Sequence, residues 1–183
     1  GWKTVGMVLL AGALLFTITG TLDKVRDRVQ SQAPIGLDGM KYMQTANHWD
    51  GGELELGQDY AGILWMRENV QGSPVIVEAN TPEYRWGSRY TIYTGLPGVL
   101  GWNWHQRQQR ALNPPNLVTD RVEEIRAFYE TTNIGEALAF IEKYHIEYII
   151  VGQVEQNYYP GAGLDKFARE EGRLWEEVFR ERD

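Results

Sequence analysis

The sequence predicts an N-terminal membrane-spanning helix followed by one small α/β domain. Three observations lead there. Val5 to Leu22 is long, apolar and free of charge. Pro74–Ala79 and Ile146–Gly152 are β-branched runs that read as strands covered on both faces. Between and around them, apolar residues recur at helical spacing. The expected organisation is a span and juxtamembrane segment over 1–30 and a soluble α/β sheet domain, with helices packed on it, over 31–183.

The first element, VGMVLLAGALLFTITGTL, has the length a bilayer demands of a helix. Trp2 and Lys3 flank it on one side, as an interfacial ring and a snorkelling cation do. Asp23, Lys24, Arg26, Asp27 and Arg28 end it on the other. A signal peptide would have a shorter apolar core and a small-residue cleavage site, where charge follows here. A buried core helix is seldom apolar all round. Gly6, Leu10, Ala13, Thr17 and Gly20 share one face, and Gly6, Ala13 and Gly20 permit close approach of a second helix.

Ser31–Gly39 reads as a loop and Gly51-Gly52 as a turn. Tyr60, Ile63, Met66 and Val70 mark a helix over Asp59–Val70, stopped by Gly72 and Pro74. A helix over Asp120–Glu130 places Val122, Ile125 and Tyr129 inward, with Asp120 and Glu123 as a capping box. Asn133 and Glu136 signal the start of another, with Leu138, Ile141 and Tyr144 on its inner face. Leu164–Glu171 reads as a short helix ended by Gly172. Arg173–Arg180 fits either a strand or a helix, and the bulky residues after Gly172 favour a strand.

Charge and composition exclude several classes of function. The 25 acidic and 18 basic residues give a formal charge of -7, the wrong sign for a nucleic-acid partner. With no cysteine, disulfides, thiolate nucleophiles and thiolate metal sites are absent. There is no Gly-rich phosphate loop with Lys, no nucleophile elbow and no HExxH, so no catalytic residue, metal or cofactor is expected. His48, His105 and His145 are far apart in sequence. His145 opens a buried-type strand and reads as structural, whereas His105 lies in a polar loop.

The stretch from Glu78 to Arg110 carries the chemistry. It begins where the first buried strand ends, the usual place for a ligand in open α/β sheets. Arg89, Arg107 and Arg110 offer planar donor forks for phosphate or carboxylate. Trp102 and Trp104 offer faces for a sugar ring. Glu78, Arg89, Trp102, His105, Arg107 and Arg110 are therefore the ligand-binding candidates. The competing expectation is that these arginines pair with Glu78, Glu83 or other carboxylates and fix the loop.

Thr94–Arg110, TGLPGVLGWNWHQRQQR, resembles a signature of the YYY membrane proteins of Chloroflexi and archaea. Leu37-Asp38-Gly39, Pro74–Ala79, Arg121, the YIIVG run Tyr148–Gly152 and Leu164-Asp165-Lys166-Phe167 also fit. That family is similar to multi-spanning glycosyltransferases that use lipid-linked sugars. The resemblance implies a last span with an extracytoplasmic, substrate-binding domain of a longer chain whose catalytic acid lies elsewhere. Expected partners are the membrane, other transmembrane helices or subunits, and a lipid-linked sugar. Two positions depart from the family pattern, with Gln106 in place of Glu and Gln109 in place of Trp. Those departures favour an alternative, a non-catalytic subunit of a larger membrane complex. Lys24, Arg26 and Arg28 by themselves would put the domain in the cytoplasm, whereas the resemblance puts it outside.

Overall fold

The computed structural model describes residues 1–28, 34–111, 114 and 116–181. The expected domain boundary at 30/31 and the first three residues of the Ser31–Gly39 loop lie outside the described residues. The chain is mostly helical α/β, a long apolar helix followed by mixed helices and small sheets. Helix α1 runs from Trp2 to Arg28 and buries none of its residues. It is long and apolar enough to cross a membrane.

A short 3-10 helix, Lys41–Gln44, leads into an antiparallel hairpin, β1 (Asn47–Trp49) and β2 (Glu53–Glu55). The expected Gly51-Gly52 turn closes it, with Gly51 in the left-handed region at φ 70°. Helix α2 (Leu56–Asn69) follows and points Ile63 and Met66 into the core. It begins a turn earlier than the spacing indicates and ends one residue sooner. The two buried-type strands are real but short: β3 is Val75–Val77 and β4 is Ile146–Ile149. They pair in parallel, Val75 opposite Ile146 and Val77 opposite Ile149. An isolated bridge sets Gly98 beside Ile76.

The crossover between these strands holds α3 (Arg89–Thr94), α4 (Asn103–Gln109), α5 (Leu117–Glu130) and α6 (Ile134–Tyr144). Helices α7 (Gln153–Tyr158) and α8 (Asp165–Arg169) follow β4. Helix α5 starts three residues before Asp120, because Asn116 already accepts the Asp120 N–H. Asp120 and Glu123 are therefore not a capping box, and Glu123 pairs with Arg126 instead. Asn133 does cap α6, accepting from the Gly135 N–H at 2.9 Å. The inner face of α6 is rotated slightly from the expected one: Ile141 and Tyr144 pack against the core as expected, but Ala137 and Phe140 are the buried residues and Leu138 is exposed. Phe140 stacks on Phe128 of α5 with ring centroids 4.6 Å apart, which fixes that rotation.

His145 is the left-handed C-cap of α6 at φ 52°, exposed rather than part of a buried strand. The expected strand over Arg173–Arg180 does not form. Instead its aromatics anchor one by one. Trp175 donates from its indole N–H to the Phe167 carbonyl at 2.8 Å, and Phe179 lies 5.8 Å from Trp65. A single bridge, Glu171 to Trp175, is all the ladder it makes.

Lys166 locks the end of α5. Its buried ammonium donates to the carbonyls of Tyr129 (3.0 Å) and Gly163 (2.7 Å) and lies over the Phe167 ring. A cation beside the last turn of a helix completes its unpaired carbonyls. Burial, and then Arg169, push that ammonium down to about 8. Position 163 must be glycine, since a Cβ there would lie 2.3 Å from the Tyr129 carbonyl oxygen.

Candidate functional site

Past the carboxyl ends of β3 and β4 the chain gathers a buried charge network. Arg89, the first residue of α3, is 1% exposed. Its Nε donates to Asp59 Oδ1 of α2 at 2.7 Å. Its Nη2 donates to Glu155 Oε2 of α7 at 2.9 Å, its Nη1 to Glu155 Oε1 at 3.2 Å. Glu78, the residue after β3, lies 3.7 Å from Nη1. One guanidinium thus sits where a bound cation would, among three carboxylates. Its planar fork matches Glu155 bidentately, which a lysine could not do.

Each carboxylate has a second task. Glu78 accepts the N–H groups of Tyr90 (3.0 Å) and Thr91 (2.9 Å), which satisfies the first turn of α3 from outside the helix. Glu155 accepts from the Ala79 N–H and the Gly152 N–H, each at 2.8 Å, so it caps its own helix and holds the end of β3. Asp59 accepts from the Trp86 indole at 2.7 Å. Asp50, in the hairpin turn, accepts from the Trp86 N–H at 2.6 Å and from the Tyr158 hydroxyl.

The same surroundings push the acids apart. Burial raises Glu78 above the ordinary carboxylate range, and Arg89 and the two N–H donors offset only part of it. Burial is the largest single influence on Glu155 too, but Arg89 and the Ala79 and Gly152 N–H donors together outweigh it and hold that carboxyl below the ordinary range. Arg89 itself is held above its ordinary value, because Glu155 and Asp59 outweigh its burial. Close packing supports the arrangement: Gly62 of α2 leaves room for the Tyr90 hydroxyl, which a Cβ there would approach to 2.3 Å.

Outside this network lies an aromatic group. Tyr84 is 75% exposed and holds a left-handed backbone at φ 63°, a conformation that costs a non-glycine residue about 1–3 kcal/mol. Its hydroxyl meets His105 Nε2 of α4 at 3.3 Å. Tyr84 and Trp102 have centroids 5.6 Å apart, and Trp102 and His105 5.4 Å. Glu83 accepts the Trp104 N–H at 2.7 Å and Asn80 donates to the Gly101 carbonyl at 3.1 Å, which seats α4 against the 80–84 turn. Among the described residues, the buried side-chain polar atoms without a hydrogen-bond partner are Thr91 Oγ1 and Trp102 Nε1. The Trp102 N–H is itself buried, so the exposed member of this group is Tyr84, whose ring and hydroxyl a hydroxylated ligand would meet first.

The predicted candidates therefore part company. Trp102 and His105 come together, with Tyr84 as a third member. Glu78 and Arg89 are buried and internally satisfied. Arg107 reaches Thr119 Oγ1 at 3.1 Å and Arg110 reaches Gln106 Oε1 at 2.8 Å, both on the exposed side of α4. So Arg89 does not share a surface with Arg107 and Arg110. The reason is stoichiometric: Asp59, Glu78 and Glu155 converge from three elements, and a cation must answer them. Sequence reading missed Asp59 and Glu155 because their partners lie 30 and 66 residues away. The only local sign was Glu155 three residues after Gly152, a helix-start spacing. Tyr84 was missed because nothing in sequence announces its backbone conformation.

Shallow open hollows lie along α1, one beside Val5 and Val8 and one beside Thr17 and Gly20. Among the described residues no group of three or more His, Asp or Glu is placed to hold a metal ion. No family model, curated protein or solved structure matches the chain.

Proposed function

We propose that this chain is the last span and the extracytoplasmic, substrate-holding domain of a membrane glycosyltransferase that uses lipid-linked sugars. The observation that carries the reading is the Tyr84–Trp102–His105 group. It lies past the end of β3, beside a turn tied to the Arg89 network through the Trp86 indole on Asp59, with the Tyr84 ring exposed. Sugar rings stack on such faces and their hydroxyls pair with such edges. The resemblance of Thr94–Arg110 to the YYY membrane proteins supports the same reading, as does an N-terminal helix long and apolar enough to cross a membrane. Arg107 and Arg110, on the exposed side of α4, supply cations for a phosphate. The domain binds and does not itself catalyse.

Titration of the full chain in detergent with a polyprenyl-phosphate hexose tests this. Quenching of tryptophan fluorescence that saturates, and that Trp102→Phe together with His105→Ala abolishes, is the expected result. Equal quenching by the variant, or by the polyprenol without sugar or phosphate, would overturn it. Sidedness is checked separately: a cysteine engineered on the exposed face of α6 reacts with an impermeant reagent in intact cells if the domain is outside.

The second reading is a non-catalytic subunit of a larger membrane complex. Its observation is α1 itself, whose Gly6, Ala13 and Gly20 leave one face open to a neighbouring helix. Under that reading Gly6→Leu with Gly20→Leu lowers co-purification with other membrane proteins, and unchanged co-purification removes it.

A further inference from the structure

The buried charges past the end of β3 do not balance. Asp59, Glu78 and Glu155 surround Arg89, and none of the four is more than 5% exposed. Arg89 spends Nε on Asp59, and Nη1 and Nη2 on Glu155. Glu78 stands outside that pairing, 3.7 Å from Nη1, and accepts the N–H groups of Tyr90 and Thr91. The other titratable groups facing it bring no further cation. Asp59 of α2 and Glu155 of α7 are acids, and Tyr90 of α3 and Tyr129 of α5 are phenols that burial pushes up. A third carboxylate around one guanidinium, away from water, is costly, and such a carboxyl takes up a proton instead. The Thr91 hydroxyl stands beside the Glu78 carboxyl, buried and without a completed hydrogen bond. It can accept from a carboxylic acid or donate to a carboxylate, so it serves both states.

We propose that Glu78 carries a proton at neutral pH and that losing it loosens the 82–88 turn, which makes the network a proton-sensitive latch on Tyr84. The turn holds two non-glycine residues in the left-handed region, Tyr84 at φ 63° and Ser88 at φ 62°. Such backbone persists only where its surroundings hold it. Here the Trp86 indole N–H on Asp59 (2.7 Å), the Trp86 N–H on Asp50 and the Gly87 N–H on Thr81 do so. Asp59 therefore joins the turn to the network, one oxygen on Trp86 and the other on Arg89. An ionised Glu78 draws Nη1 of Arg89 across the 3.7 Å gap and competes with Asp59 and Glu155 for it. Burial raises Glu78 above the ordinary carboxylate range, so its contribution is complete below that range and is lost as pH rises through its folded value. The latch stands on the network alone; its use in gating a ligand rests on the reading of Tyr84, Trp102 and His105 as a sugar-binding group.

Infrared spectra of the full chain in detergent test the proton. At neutral pH the parent should show the carbonyl stretch of an undissociated carboxylic acid, and Glu78→Gln should lack it. Identical spectra overturn the proposal. Should Glu78→Gln fail to fold, Thr91→Val serves instead: it removes the hydroxyl that receives the acid proton, so the band should move, and an unmoved band overturns the assignment to Glu78. Trypsin tests the latch at exposed Arg85, inside the turn. Across a pH series, cleavage after Arg85, scaled to a free peptide of the turn sequence, should rise several-fold as the acid band fades. Cleavage after Arg126, on the exposed side of α5, should stay flat. A fading band with unchanged cleavage at Arg85 overturns the latch, and so does an equal rise at Arg126, because the whole domain then opens. Both tests passing in a chain that binds no sugar at any pH would refute the sugar reading and leave the latch in place.

Discussion

The 78–110 segment contains two polar assemblies that look alike in sequence and behave oppositely in the fold. Arg89 with Glu78 is sealed, each of its charges answered from α2, α7 or the backbone. Tyr84 with Trp102 and His105 is open through the exposed Tyr84 ring, while the Trp102 indole N–H is buried without a partner. Both combine a cation or imidazole with aromatic neighbours. The difference is the supply of partners from remote parts of the chain. Carboxylates converge on Arg89, whereas the Glu83 carboxylate at the start of α4 takes a backbone N–H. A charged residue in a long loop is thus no guide to a ligand until its distant partners are known, and an aromatic with an unspent polar edge is the better guide.

The comparison breaks hardest at Arg89. Arg89→Ala leaves buried carboxylates without a cation and should cost about 3–5 kcal/mol, read as a fall in thermal midpoint. Arg89→Lys should recover little of it, because an ammonium cannot serve Asp59 and both Glu155 oxygens. If Arg89→Ala melts like the parent, the network is ornamental and the contrast collapses.

A smaller effect separates the two buried glutamates. Glu155 is held below the ordinary carboxylate range, so its contribution is present above that range and lost as pH falls through its folded value. Glu78 is raised, so its contribution has the opposite sign: it is present at low pH and lost as pH rises through its folded value. Glu155→Gln should therefore flatten the acid limb of the stability profile and cost about 1–3 kcal/mol near neutrality from unpaired donors. An unchanged acid limb would mean that Arg89 does not depend on Glu155.

Smaller again are changes at the open assembly. His105→Ala and Trp104→Ala should shift stability by about 1 kcal/mol or less, since Trp104 is exposed and His105 is only half-buried. Arg107→Ala should stay within about 0.5 kcal/mol, its partner being the exposed Thr119. A loss of several kcal/mol at any of these, in chemical denaturation, would make the open assembly another brace.

Local signals were legible where local physics decides. The apolar helix, α2, α6 with its Asn133 cap, and both buried strands follow from spacing and β-branching. The start of α5 was misread because Asp120 and Glu123 mimic a cap while Asn116 already begins the helix. The strand expected at Arg173–Arg180 failed because its aromatics are anchored singly, Trp175 on the Phe167 carbonyl and Phe179 against Trp65, which bulk and β propensity do not reveal. Within the site, Trp102 and His105 were legible from loop length and residue type. Arg89 was not, because its role is set by Asp59 and Glu155, which no local pattern links to it.

The 66 residues between Arg89 and Glu155 also order events in time. At about 5–20 residues per second of synthesis, Arg89 is made roughly 3–13 s before its bidentate partner exists. Helix α1 is complete well before either. During that interval β3 has no β4 to pair with, and a guanidinium bound for the interior stands in water. Long-range parallel pairing of this kind is slow to nucleate. The chain therefore waits open until Ile146–Glu155 arrives, which supplies β4 for β3 and the bidentate partner of Arg89 within ten residues.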